Sequence, residues 1–182
     1  MKHGLPPIVW PHARVLILGS LPGDESLRLQ QYYGNSRNHF WAILGRIHGE
    51  QIGAEYAQRI AFLRRRGIAL WDVIASAERR GSLDSHIRAE VPNDFAELFG
   101  LAPGLRTIAL NGSKAALSFE RHVRPRFSSL LESMHVVALP SSSAVPSRKF
   151  LSVEAKAEIW RAAFSEAHRR ISPSPAGGRG SG

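Results

Sequence analysis

The sequence predicts an α/β fold: a three-layer α/β/α sandwich around a central, mainly parallel four-stranded sheet. Three observations carry this expectation. Four short runs are apolar throughout, "VLILGS" (15–20), "GIALWDV" (67–73), "TIALNGS" (107–113) and "HVVALPS" (135–141), as strands covered on both faces tend to be. Segments with helical spacing lie between them, and strands alternating with helices favour parallel pairing. Each run also ends in small, polar or turn-forming residues, and the carboxyl ends of such strands are where α/β proteins gather functional groups.

The first strand breaks at "GSLPG" (19–23). Gly19 lets the backbone turn off the strand, Pro22 fixes the bend and Gly23 permits close approach of a ligand. For the pentapeptide alone, an ordinary strand-to-loop turn is the more economical reading. It has neither the Gly-Lys-Ser/Thr of a Walker loop nor the G-x-G-x-x-G spacing of a dinucleotide site. "QYYGNSRNHFW" (31–41) follows. Phe40 and Trp41 open a helix, "HFWAILGRIHG", and suit the core. Tyr32 and Tyr33 lie in the loop and are read as base-stacking groups, a contact that contributes roughly 1–3 kcal/mol per base. Asn38 can hold and polarise a water, and Arg37 can meet a phosphate.

A helix over "EYAQRIAFLRRRG", with Tyr56, Ile60 and Leu63 on one face, leads into the second strand and Asp72. The third strand ends at Asn111 in "LNGSKA". Its amide can read the polar edge of a base or cap the helix "SKAALSFERHV" that follows. The fourth strand runs into "LPSSSAVPSRK" (139–149). Ser141, Ser142 and Ser143 offer hydroxyls and amides to a phosphate, with Arg148 and Lys149 close behind; the plain alternative is a solvated serine-rich loop. "SVEAKAEIWRAAFSEAHRRI" (152–171) closes the domain, with a serine cap, an early glutamate and basic residues at its end. One domain over residues 1–171 is expected, and "SPSPAGGRGSG" (172–182) has the composition of a disordered tail.

Lys plus Arg number 24 against 15 Asp plus Glu, a net charge of +9. Such an excess suits a polyanion, because each phosphate neutralised releases condensed counterions. There is no cysteine, which excludes disulfides, thiolate zinc sites and cysteine-ligated iron–sulfur clusters. The eight histidines show no H-x-x-x-H spacing, so neither a metal nor another cofactor is expected. No apolar run has the length of a signal peptide core or a bilayer span. A cytoplasmic, nucleoid-associated monomer without membrane contact is the expectation.

Taken together and in this order, "GSLPG", "YGNSRNHFW", "NGSKA" and "LPSSS" resemble the uracil-DNA glycosylase superfamily, and within it the hypoxanthine-DNA glycosylase-like branch (family 6). The N-x-F-W run is also similar to that of the mismatch-specific branch. The resemblance implies a DNA repair enzyme that flips out a deaminated base, uracil, hypoxanthine or xanthine, and excises it hydrolytically from double- or single-stranded DNA. By position, Gly19 and Ser20 would line the base pocket through backbone groups, Tyr33 would stack and Asn111 would read the base edge. Asn38 would aim the attacking water. Ser141, Ser142 and Ser143, with Arg148 nearby, would hold the DNA backbone, and the loop beyond would enter the gap left in the duplex.

Four positions depart from the wider superfamily. Leu21 stands where several branches carry a water-orienting Asp or Asn, and Leu139 where the classical enzymes carry His. Ala144 and Val145 replace a common Pro-Ala. Asp24 and Asp72, both at strand ends, are therefore alternative water activators. Lys114 is the only lysine within the four motifs themselves, which implies a monofunctional enzyme without lyase activity. Two other classes compete: a non-catalytic reader of damaged DNA, and a nucleotide or nucleoside enzyme on the same scaffold.

Overall fold

The structure, a computed structural model, describes residues 1–145 and 152–171, with the side chains of the last helix described through Ser165. In chain order the strands are β1 (Lys2–His3), β2 (Val15–Gly19), β3 (Ile68–Asp72), β4 (Ile74–Glu78), β5 (Arg88–Pro92), β6 (Thr107–Asn111) and β7 (His135–Leu139). The helices are α1 (Asp24–Leu29), α2 (Phe40–His48), α3 (Tyr56–Arg65), α4 (Phe95–Leu101), α5 (Ser113–His122), α6 (Ser128–Leu131) and α7 (Val153–Ile171).

The expected sheet is present. Its order is β3–β2–β6–β7 and every pairing is parallel. Every residue of β2, β3 and β6 is buried, because helices cover both faces and leave no solvent side for a polar residue to use. Two aromatic clusters fill the space beside the sheet. Phe40 of α2 meets Trp160 of α7 edge-on at 6.1 Å, while Phe95 of α4 meets Phe119 of α5 at 6.4 Å. Burying such a side chain contributes about 1.5–3 kcal/mol.

The register sets Gly19 beside Asp72 and Asn111 beside Leu139. All four carboxyl ends therefore lie along one edge of the sheet. Helices α2, α3, α5 and α7 occupy the segments that the sequence spacing assigns to them, and Ser152 Oγ caps α7 by accepting the Ala155 N–H at 3.1 Å.

A second sheet was not legible from the sequence. Strands β1, β4 and β5 pair antiparallel in the order β1–β4–β5. Only Val73 separates β4 from β3, and its N–H donates to the Gly19 carbonyl at 2.9 Å. The connection between β4 and β5 lies against the loop that follows β2, and its Ser82 Oγ accepts the Asp24 N–H at 2.9 Å.

Candidate active site

A cleft of about 1260 Å³ opens at the carboxyl edge of the parallel sheet, and its walls include Gly19, Tyr33, Asn38, Asp72, Asn111 and Ser143. Small-molecule pockets usually enclose about 300–1,000 Å³, so this is an open groove. Gly19 sits at its tightest point. A Cβ there would collide with Asp72 Oδ1 and lie 3.3 Å from the Tyr33 hydroxyl. Glycine is required because the strand end, a carboxyl group and a phenol converge on one spot.

The loop after β2 is held from below by the second sheet. Arg79 is 7 % exposed, and its guanidinium donates to the Leu21 carbonyl at 3.0 Å and to the Pro22 carbonyl. Ser20 Oγ donates to Asp84 Oδ1 at 2.7 Å. Asp84 belongs to an exposed turn yet directs its carboxylate inward to this buried serine, and burial raises its pKa despite that hydrogen bond. Asp72 is more extreme. It is 4 % exposed, its Oδ2 has no hydrogen-bond partner, and burial, reinforced by Asp84 against the pull of Arg79, brings its carboxyl up to about 7.

Tyr33 adopts a left-handed backbone, φ 52°. Its ring stacks on Phe40 with centroids 3.7 Å apart and planes within 10°, and Trp41 Nε1 donates to its carbonyl at 3.3 Å. Asn38 lies just ahead of α2, two residues before its first residue, and its Oδ1 accepts the Phe40 N–H at 3.0 Å. A carbonyl oxygen has two acceptor positions, so this bond leaves a second lone pair on the oxygen.

Asn111 draws three loops together. Its Nδ2 donates to the Tyr33 hydroxyl and to Ser142 Oγ, both at 2.9 Å, and its Oδ1 accepts the Ser142 N–H at 2.8 Å. Gly112 follows with φ 95°, and a Cβ there would meet Ser141 at 3.0 Å. Only a glycine lets these two loops come so close. The His39 N–H donates to the Ser142 carbonyl at 2.9 Å. Helix α7 completes the clamp from one face: Trp160 Nε1 donates to the Pro140 carbonyl at 3.0 Å and Lys156 Nζ to the Ser143 carbonyl at 2.7 Å. Burial lowers the pKa of Lys156, and burial with the nearby Lys156 charge lowers that of His39.

The cleft thus brings together Gly19, Ser20, Tyr33, Asn38, Asn111, Ser141, Ser142 and Ser143. Several details differ from expectation. Tyr32 is a core residue at 4 % exposure, its hydroxyl donating toward the Leu5 and Pro6 carbonyls; adjacent residues at this turn point opposite ways. Asn111 does not cap α5, whose N-cap is Gly112; both N–H groups of its amide are bonded within the protein, which leaves one acceptor position on Oδ1. Ser142 is 1 % exposed, with its hydroxyl and N–H both bonded to Asn111; Ser141 is exposed and Ser143 half-buried. Asp24 is ion-paired with Lys2, whose hydrogen bond holds its carboxyl below the usual carboxylate range, so it is a poor base for water. Val145 stands exposed on the cleft wall. Arg148 and the 172–182 tail lie outside the described residues.

Sequence reasoning passed over Arg79, Asp84 and Lys156. The first two lie in the connection between β4 and β5, strands that gave no sequence pattern. Lys156 is one charge on a long amphipathic helix, where the default reading is a solvated face.

These loops, their order along the chain and the parallel sheet that presents them define the class. The chain belongs to the uracil DNA glycosylase superfamily, whose profile it matches over residues 6–164, and it is a DNA glycosylase. Two relatives named hypoxanthine DNA glycosylase are similar to it. The one from Methanosarcina acetivorans is 40 % identical over 167 residues, covering 90 % of this chain and 98 % of the relative. The one from Methanosarcina barkeri is 44 % identical over 115 residues, covering 63 % of this chain and 73 % of the relative. A solution NMR structure of a candidate uracil DNA glycosylase from Methanosarcina acetivorans superposes with a TM-score of 0.74 at 38 % identity, covering 92 % of this chain and 98 % of the other.

Proposed function

We propose that the protein removes hypoxanthine from DNA, and uracil or xanthine as further substrates, by hydrolysing the glycosidic bond of a nucleotide swung out of the helix into the cleft. The observation that carries this reading is the convergence of Gly19, Tyr33, Asn38 and Asp72 on one cleft at the sheet edge. The two hypoxanthine DNA glycosylases it resembles support the choice of first substrate.

Extrusion costs a few kcal/mol and least at a mispair, which favours deaminated bases in double-stranded DNA. Tyr33, made rigid by Phe40 behind it, supplies an aromatic wall for the base. Asn38 aims a water at the sugar carbon as that carbon takes on oxocarbenium character. Ser141 and Ser143 lie at the rim for a phosphate, and Val145 is placed to enter the gap in the duplex. Cleavage stops at the abasic site: Lys114 is held by Glu90 at 2.6 Å and Lys156 by the Ser143 carbonyl, so neither amine is free for a Schiff base. The protein acts as a monomer.

The test is Asn38→Ala on a duplex with one deoxyinosine opposite thymine. The variant retains the duplex and loses about a hundredfold or more in single-turnover excision, the low end of what a positioned general base contributes. Normal turnover removes Asn38 from the mechanism. Wild-type protein that binds the duplex but yields no alkali-labile sites with inosine or uracil is a reader of damage and not an excising enzyme.

A further inference from the structure

Asp72 has no task in this account, yet its position is costly. It lies at the carboxyl end of β3, level with Gly19, with one carboxyl oxygen against the space a Gly19 side chain would fill and the other without a hydrogen-bond partner. The Tyr33 hydroxyl borders the same space. Both N–H groups of Asn111 are committed to Tyr33 and Ser142, so the base carbonyl needs another donor. A buried polar group left unsatisfied is rare and calls for a reason.

We propose that Asp72, as a neutral carboxylic acid, reads the carbonyl of the extruded base: the oxygen beside Gly19 carries the O–H and donates it to the base carbonyl oxygen. This rests on the excision reading above and narrows it to a chemical class, bases that present a ring carbonyl, as hypoxanthine and uracil both do. A carboxylate could not do this, since it offers only acceptors and would face the lone pairs of the carbonyl oxygen. As the glycosidic bond breaks, negative charge grows on that oxygen, so the same donated bond strengthens toward the transition state.

The surroundings suit a protonated acid. Asp84 faces Asp72 from the turn after β4 and disfavours a second negative charge, while Arg79 opposes this from the end of β4. The phenols of Tyr32 and Tyr33 also face it, both kept protonated chiefly by burial and then by the Asp72 charge. Beyond these, Lys114 acts on Asp84 and Asp24 on Arg79.

The experiment is single-turnover release of hypoxanthine from an inosine-containing duplex between pH 6 and 9, for wild type and Asp72→Asn. The neutral form with a pKa of about 7 falls nearly tenfold per pH unit above it, so the wild-type rate declines by about a hundredfold across the range. Asparagine keeps a donor and an acceptor but does not titrate. Its rate starts lower and stays flat, overtaking wild type at the alkaline end. Ionisation of the base itself enters both profiles equally. The same declining limb in both proteins, or a flat wild-type profile, overturns the role of Asp72 while leaving excision intact. No release by wild type at any pH rejects the function itself. Should Asp72→Asn not fold, Asp84→Asn gives the second measurement: losing that negative neighbour shifts the wild-type limb to lower pH, and an unmoved limb counts against the proposal.

Discussion

Two buried carboxylates, Glu90 and Asp72, show opposite solutions to the same problem. Glu90 on β5 has a side chain 8 % exposed, but Lys114, His122 and Ser118 of α5 all reach it, at 2.6, 2.9 and 3.0 Å, with Arg121 at 3.3 Å. Burial alone would raise its pKa; these partners outweigh burial and bring it down to about 2. Asp72 receives no such set and rises to about 7. One carboxylate latches the second sheet to a helix. The other is left hungry for hydrogen bonds beside the cleft, a cost tolerated where function needs it.

The largest effect separates the two by the sign of their stability change. Glu90, depressed from 4.5, stabilises the fold above that pH and loses the contribution as pH falls toward 2. Glu90→Gln therefore costs about 3 kcal/mol at pH 7 and little near pH 2. Asp72, raised from 3.8, carries a stability contribution complete below that pH and lost as pH rises through about 7. Asp72→Asn thus gains about 4 kcal/mol at pH 8 and almost nothing at acid pH. Urea unfolding at both pH values measures each, and same-sign changes would erase the contrast.

Gly19→Ala is next. Its methyl would push the Asp72 carboxyl aside, and a misplacement near 1 Å costs about a hundredfold in rate. Excision kinetics with a matched melting curve separate this from unfolding; wild-type rates would show that the point of convergence is unimportant. The smallest effect is Ser20→Ala, which removes one hydrogen bond to Asp84, about 1 kcal/mol of stability. The loop backbone stays in place, so excision falls by less than about fivefold.

The parallel sheet was legible because burial on both faces leaves an unbroken apolar run, as in Leu16, Ile17 and Leu18. The antiparallel sheet was not, since β5 reads Arg-Ala-Glu-Val-Pro with most residues exposed and β1 has two residues. Hence Asp84 and Arg79, which brace the first loop, had no signal of their own. Asn38, Tyr33 and Asn111 were found as motif members. That Asn111 would spend its amide on Tyr33 and Ser142 depends on distances across 31 and 78 residues of chain, which spacing cannot convey. Tyr32 and Tyr33 look alike in sequence; the positive φ at Tyr33 sends one into the core and the other to the cleft.

The knot at Asn111 also bears on how a mutational scan is to be interpreted. Replacing this residue would unfasten the tyrosine and the serine loop together, so a dead Asn111 variant carries no information about which atom touches the nucleobase. Only a double-mutant comparison with Tyr33→Phe and Ser142→Ala can apportion the damage between architecture and chemistry.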